Sequence, residues 1–542
     1  MKKVRTACII MLIIFSLVMS ACASNSAPTI SDFPLSQTPP APGDIQSAPS
    51  SPAAPTAGAP TQETDGSSYY DISPSESPSE SYLVITENLA VSTDVESTLT
   101  FSLKVDTAAY TNVSRFLESG NLPPRDAVRT EELINYFTYD GYMHFENNAI
   151  FAIDAEVGPS PFSAGRHLAF IRVKSRDIDR SQLAPSNLTF LIDTSGSMSS
   201  HDRMPLLKES FALLVDSLTE DDRVSIVTYA GSSDILLDGV SGADKGRILS
   251  VINSLEARGS TAGGHGIQTA YALAEKNFMP NANNRVILAT DGDFNVGVSS
   301  NAELARLVGE RRGNGIYLSV LGYGMGNIRD DLMETLSREG NGNYFYINNL
   351  AAARKALVDE LSSNLYTIAD DVKAQVEFNP HNVRSYRLIG YENRRLRNED
   401  FSDDAVDSGE VGVGTDVILM FELELQGPAA AGGGRYAPVS DVQPDFADEL
   451  FEVRLRYKHP GEYESNLMVR QVFLENIVET GSTDFRFAAA VAAFAHLLRD
   501  SEHARDVTLG EVRNLAEEGL GRDYAGYRRD FMRLLELYGR LV

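Results

Sequence analysis

Leu188-Thr189-Phe190-Leu191-Ile192-Asp193-Thr194-Ser195-Gly196-Ser197 runs five mostly apolar residues directly into a cluster of carboxylate and hydroxyl oxygens. A short apolar run bounded by polar turn residues reads as a buried strand, and the oxygens then sit at its carboxyl end. Further strands are expected at 224–229, 285–289, 316–321 and 344–347, with amphipathic helices such as 205–218 and 302–312 between them. Alternation of this kind predicts an α/β doubly wound parallel sheet, Rossmann-like, over residues 187–365. In such sheets ligands bind at the carboxyl edge of the strands.

Two later segments return to that edge. Gly259-Ser260-Thr261 precedes a helix expected to begin near Gly264, and Thr290-Asp291-Gly292 follows the 285–289 strand. Asp193, Ser195, Ser197, Thr261 and Asp291 thus offer oxygen ligands from three separate loops. Mg²⁺ wants six oxygens at about 2.0 to 2.1 Å and keeps several waters; Mn²⁺ and Ca²⁺ accept similar donors. Hydroxyls ligate without adding charge, so the ion stays electron-poor and seeks another anionic oxygen from outside. Asp-x-Ser-x-Ser alone is common in turns and helix caps. Three loops in the right order carry the metal reading. Asp293 reads as a turn residue and His265 as a surface residue.

This constellation resembles the metal-ion-dependent adhesion site of von Willebrand factor type A domains, with all five ligating positions matched. The resemblance extends to the bacterial YfbK-type lipoproteins through Phe101-Ser102-Leu103-Lys104-Val105-Asp106-Thr107-Ala108-Ala109-Tyr110, Leu122-Pro123-Pro124-Arg125, Glu131-Glu132-Leu133-Ile134-Asn135-Tyr136-Phe137, 289–297 and Val376-Glu377-Phe378-Asn379-Pro380. It covers nearly everything after residue 85. It implies metal-dependent protein binding in the type A domain, flanked by a family-specific amino-terminal region and a carboxyl-terminal region of uncharacterised role.

Outward from the parallel sheet the pattern turns to β. Strands are expected at 151–157 and 167–173 before it, and at 372–378, 385–391, 416–425 and 450–457 after it, with a loop at 427–448. Strands on both sides predict that the α/β unit is inserted in a discontinuous β sandwich. Residues 83–186 begin with two helical stretches split at Leu122-Pro123-Pro124, the first capped by Asp106-Thr107. Residues 366–460 are the remaining sandwich strands, and 461–542 a helical carboxyl-terminal region with helices at 485–499 and 509–538. Arg528-Arg529-Asp530 is expected on a solvated helix face.

At 542 residues the chain is long enough for two or three domains. Its formal net charge of -28 repels phosphate backbones, so nucleic acid is not an expected partner. No His-Glu-x-x-His, Gly-x-Ser-x-Gly or phosphate loop occurs, and Ser195 has no evident base, so no enzymatic activity is expected.

The only cysteines are Cys8 and Cys22. A basic start, an apolar run from Ala7 to Met19 and Ser20-Ala21 before Cys22 read as a signal peptide over 1–21 ending at a lipidated Cys22. Residues 22–82, rich in Ser, Pro, Ala and Thr, read as a disordered tether; about 60 such residues reach on the order of 45 Å. The expected protein is lipid-anchored in the cell envelope, at the outer membrane if the cell is Gram-negative, with its folded part outside the cytoplasm. Its expected partner is an envelope or extracellular protein offering an Asp or Glu carboxylate to the metal; an envelope-assembly role with a purely bracing metal is the alternative. Cys22→Ser is expected to leave an uncleaved precursor or shift the protein out of the membrane fraction, and unchanged processing and fractionation would refute lipidation.

Overall fold

The computed structural model of the protein describes residues 74–76, 80–104, 106–259, 266–292, 301–404, 406, 408–426 and 446–542. Cys22 and the signal segment lie outside the described residues.

The central sheet has six strands in the order Tyr344–Ile347, Tyr317–Tyr323, Asn283–Thr290, Ser186–Asp193, Arg223–Tyr229, Ser233–Ser241. The first five run parallel. Every residue of Ser186–Asp193 is buried, as a strand covered on both faces requires. Leu188, Phe190 and Ile192 pack with Leu207, Phe211 and Leu214 of the helix Met204–Asp216, while Leu191 packs with Ile267, Ala270 and Tyr271 of Gly266–Lys276 on the opposite face. Each expected strand lies within two residues of an observed one. The sixth strand, antiparallel to Arg223–Tyr229, was not expected. It lies on the edge with Ile235 and Leu236 exposed, so it lacks the alternation that marks a half-buried strand.

Two antiparallel sheets draw strands from before and after this unit. One has the order Arg395–Leu396, Thr98–Ser102, Thr367–Phe378, Glu449–Lys458, Asn466–Phe473; the other runs Val91–Ser92, Val383–Ile389, Asp416–Leu425, His167–Ser175, Phe151–Pro159. Phe101, Val376, Phe378 and Leu455 from the first share a core with Ile171, Tyr386, Leu419 and Phe421 from the second. On the other face of the second sheet, Leu168, Phe170, Ile418 and Met420 pack with Phe485, Phe487 and Phe494 of the helix Thr483–Arg499. That helix is started by Ser482, whose hydroxyl accepts the Phe485 N–H.

The carboxyl-terminal region departs from the sequence expectation in three ways. It opens with the strand Asn466–Phe473 and is therefore not helical from residue 461. The expected helix 509–538 is two, Leu509–Glu518, opened by a Thr508–Glu511 capping box, and Tyr527–Tyr538. Arg528 is buried and donates to Asp484 Oδ1 at 2.6 Å, so it belongs to the core side of its helix and not to a solvated face.

At the other end, packing begins before residue 83. The Glu80 carboxylate takes Arg115 Nη1 at 2.7 Å, the Tyr82 hydroxyl at 2.7 Å and the Gly326 N–H at 2.9 Å. Ser81 N donates to the Ile328 carbonyl at 3.0 Å, and Tyr82 is fully buried. The sequence places these residues in the tether because Glu80 and Ser81 continue the Ser-, Pro- and Glu-rich run up to the apolar stretch Tyr82-Leu83-Val84-Ile85, with structure expected from near Leu83.

A buried ionic cluster joins the amino-terminal residues to the parallel-sheet unit. Arg129 donates to Glu132 and to Asp330 and lies 3.8 Å from Glu334. Arg394 donates to Asp106 Oδ2 at 2.9 Å and lies 3.7 Å from Glu334. Asp106 Oδ1 accepts the Tyr344 N–H at 2.9 Å, and Glu132 Oε2 accepts the Ala109 N–H at 2.8 Å. Asp106 and Thr107 therefore do not cap the helix Ala108–Glu118 with their side chains; Glu132 serves its amino end from a distance. Burial alone would lower Arg129, but Asp330, Glu132 and Glu334 hold its guanidinium well above the ordinary value.

Two outcomes follow. Arg129→Met strands buried carboxylates and should cost about 3 to 5 kcal/mol in urea unfolding, against less than about 0.5 kcal/mol for Arg529→Met at the exposed neighbour of Arg528. His496 is buried against Phe162, and neither ring nitrogen has a hydrogen-bond partner among the described residues. Burial, then the charges of Arg387 and Arg499, push it well below its ordinary 6.5. The fold holds it neutral while the unfolded chain takes up a proton, so this contribution to stability is complete above about pH 6.5 and lost as pH falls. His496→Leu should remove up to about 1.4 kcal/mol per pH unit from the acid-side slope of stability.

Candidate metal centre

The register of the parallel sheet brings the loops that follow Ser186–Asp193 and Asn283–Thr290 to one place. Ile192 pairs with Ala289, and Asp193 with Tyr229, so the ends of three adjacent strands lie side by side. Asp193 is fully buried; its Oδ1 accepts the Ser195 N–H at 2.8 Å, and its Oδ2 lies 3.2 Å from the Tyr229 hydroxyl and 3.4 Å from Thr290 Oγ1. The Ser195 and Ser197 hydroxyls are 2.9 Å apart. Asp291 is fully buried at the end of the neighbouring strand.

Of the five ligands expected from the sequence, the structure gathers Asp193, Ser195, Ser197 and Asp291 at this edge. Thr261 lies outside the described residues, as do His265 and Asp293. The backbone leading to Thr261 is placed: Gly196 N donates to the Gly259 carbonyl at 3.2 Å, and Arg258 N to the Thr194 carbonyl at 2.8 Å.

Arg203, which the sequence reading missed, completes the arrangement. It immediately precedes the helix Met204–Asp216. Its Nη1 donates to the Ser197 carbonyl and to Asp291 Oδ2, and its Nη2 to the Met325 carbonyl and Asn327 Oδ1, each at 2.7 Å. Two glycines make room. A Cβ on Gly292 would stand 2.4 Å from the Asn327 carbonyl oxygen, and one on Gly324 would stand 2.1 Å from Arg203 Nε; both have positive φ, at +106° and +77°. The only sequence signal was a basic side chain shortly after the Asp-x-Ser-x-Ser loop.

Electrostatically the site is short of positive charge. Burial, with the Asp291 charge adding to it, pushes Asp193 up to about 6, against the opposing hydrogen bonds from Ser195 and Tyr229. Two buried carboxylates beside two converging hydroxyls make an all-oxygen donor set, which fits Mg²⁺, Mn²⁺ or Ca²⁺. Among the described residues no group of three or more His, Cys, Asp or Glu side chains is placed to hold a metal ion, so a cation here would draw on the hydroxyls as well.

The sequence profile of the von Willebrand factor type A domain matches residues 187–360, and a profile described as von Willebrand factor matches 76–169. With the parallel sheet and its oxygen-lined edge, this defines a protein built around a type A domain. Residues 363–541 match the profile "Uncharacterized protein YfbK, C-terminal", and the chain is 44% identical over 446 residues to the uncharacterized protein YfbK of Escherichia coli (strain K12), covering 81% of this chain and 77% of that protein. The chain belongs to the YfbK family. It is also similar to the uncharacterized protein sll0103 of Synechocystis, 28% identical over 186 residues, which span 34% of this chain and 42% of that protein. Among solved structures, a von Willebrand factor type A protein from Catenulispora acidiphila aligns with 17% identity and a TM-score of 0.42, over 71% of this chain and 91% of that one.

Proposed function

We propose that this type A domain binds a protein partner through a divalent cation held by Asp193, Ser195, Ser197 and Asp291, with Thr261 as the fifth ligand. One observation carries the reading: side chains from separate strand ends place two buried carboxylates and two hydroxyls at one point of the sheet edge. When bound there, the cation supplies Lewis acidity toward an Asp or Glu carboxylate of the partner. Asp193 is held by Ser195 and Tyr229, and the serine hydroxyls add no charge, so little negative charge competes with the incoming carboxylate. In this reading the protein is a binding module and not an enzyme; the Ser195 hydroxyl faces the Ser197 hydroxyl rather than an imidazole. The signal segment and Cys22 make it an envelope lipoprotein that displays the domain outside the cytoplasm, carried as an insertion in a β sandwich.

Arg203 favours a second reading. Its four hydrogen bonds already brace the loops, which suits an assembly role in which the cation only reinforces the fold. Capture of envelope proteins with and without EDTA separates the two: adhesion is abolished by chelator and by Asp193→Ala, while assembly survives both.

Mg²⁺ at about 100 times its dissociation constant should stabilise the wild type by roughly 2.7 kcal/mol in thermal unfolding and leave Asp193→Ala unshifted. A wild type without any metal-dependent shift would overturn the site.

A further inference from the structure

Arg203 stands at the candidate metal centre as a cation supplied by the chain itself. Its side chain is 12% exposed, against 0% for Asp291, and its Nη1 holds one oxygen of that carboxylate at 2.7 Å. A divalent ion using Asp291 must share this carboxylate with a guanidinium, and at such separations in a largely desolvated site like charges repel strongly. The other nitrogen ties Asp291, through the same rigid fork, to the Met325 carbonyl and Asn327 Oδ1 on the loop after the Tyr317–Tyr323 strand.

We infer that Arg203 is the positioning residue of this site: it holds Asp291, competes with the divalent cation for it, and thereby couples metal occupancy to the 324–327 loop. The inference rests on the metal reading above. Coupling between two ligands of one group is reciprocal, so an ion that loosens Arg203 from Asp291 also loosens its grip on Met325 and Asn327. The affected loop also shapes the surface, because Gly324 and Met325 line a cleft of about 180 Å³ together with Arg115, Glu118, His201 and Asp202. Met325 is 46% exposed there. Gly324 fits the same role, since any side chain at that position would expel the arginine.

The test titrates the full chain with MgCl₂ by calorimetry and follows amide exchange across 324–327, for wild type, Arg203→Gln and Asn327→Ala. Removing the internal cation should tighten Mg²⁺ binding by at least about tenfold in Arg203→Gln. Asn327→Ala, which removes one anchor of the arginine and no metal ligand, should tighten it by about two- to threefold. Mg²⁺ should speed exchange at 324–327 in the wild type and leave it unchanged in Arg203→Gln. A residue with a merely bracing role would weaken metal binding when removed. Equal or looser binding in Arg203→Gln, with the wild type binding normally, overturns the inference alone; absence of Mg²⁺ binding in all three proteins overturns the metal reading and the inference with it. Should Arg203→Gln fail to fold, Asn327→Ala decides in the same direction.

Discussion

The Arg129–Asp330 pair is the constraint on which the arrangement of the described chain depends. Its partners lie 201 residues apart in sequence and neither side chain reaches water. Removing a guanidinium and a carboxylate from solvent costs several kcal/mol per ion, recovered only when every oxygen and N–H finds a partner in good geometry. Here Arg129 and Arg394 together meet Asp106, Glu132, Asp330 and Glu334, and Glu132 and Asp106 also take the Ala109 and Tyr344 backbone N–H groups, while Glu334 Oε2 keeps only its ion pair to Arg129 at 3.8 Å. The cluster thereby fixes the helix Ala108–Glu118, the helix Asp330–Glu339 and the strand Tyr344–Ile347 relative to one another.

From that frame the chemistry of the candidate site follows by a change of polarity along a single strand. Seven residues of Ser186–Asp193 are buried between helical layers, and the eighth delivers a carboxylate to the edge. Neighbouring strands do the same with Tyr229 and Thr290, whose hydroxyls both approach Asp193. The parallel register aligns these ends because adjacent strands leave the core at one level.

What could be read in the chain was what repeats locally. Continuous apolar runs marked the parallel strands, and oxygen-bearing residues immediately after two of them marked Asp193, Ser195, Ser197 and Asp291. The edge strand Ser233–Ser241 escaped because Ile235 and Leu236 face outward, and Asn466–Phe473 because Leu467 and Val469 do the same. Arg203 and the Arg129 cluster were invisible for another reason: their meaning lies in partners brought near only by tertiary folding. Arg528 looked like a surface charge until its partner Asp484 was placed. Asp106 was assigned to a helix cap, whereas its oxygens serve Tyr344 and Arg394.

Glu80 has a geometric implication. Its carboxylate holds the Gly326 N–H, one residue from the Met325 carbonyl that seats Arg203. The chain thus joins the folded body on the same side as the oxygen-lined edge. Residues 324–327 are thereby gripped from two directions, by Glu80 at the Gly326 N–H and by Arg203 at the Met325 carbonyl.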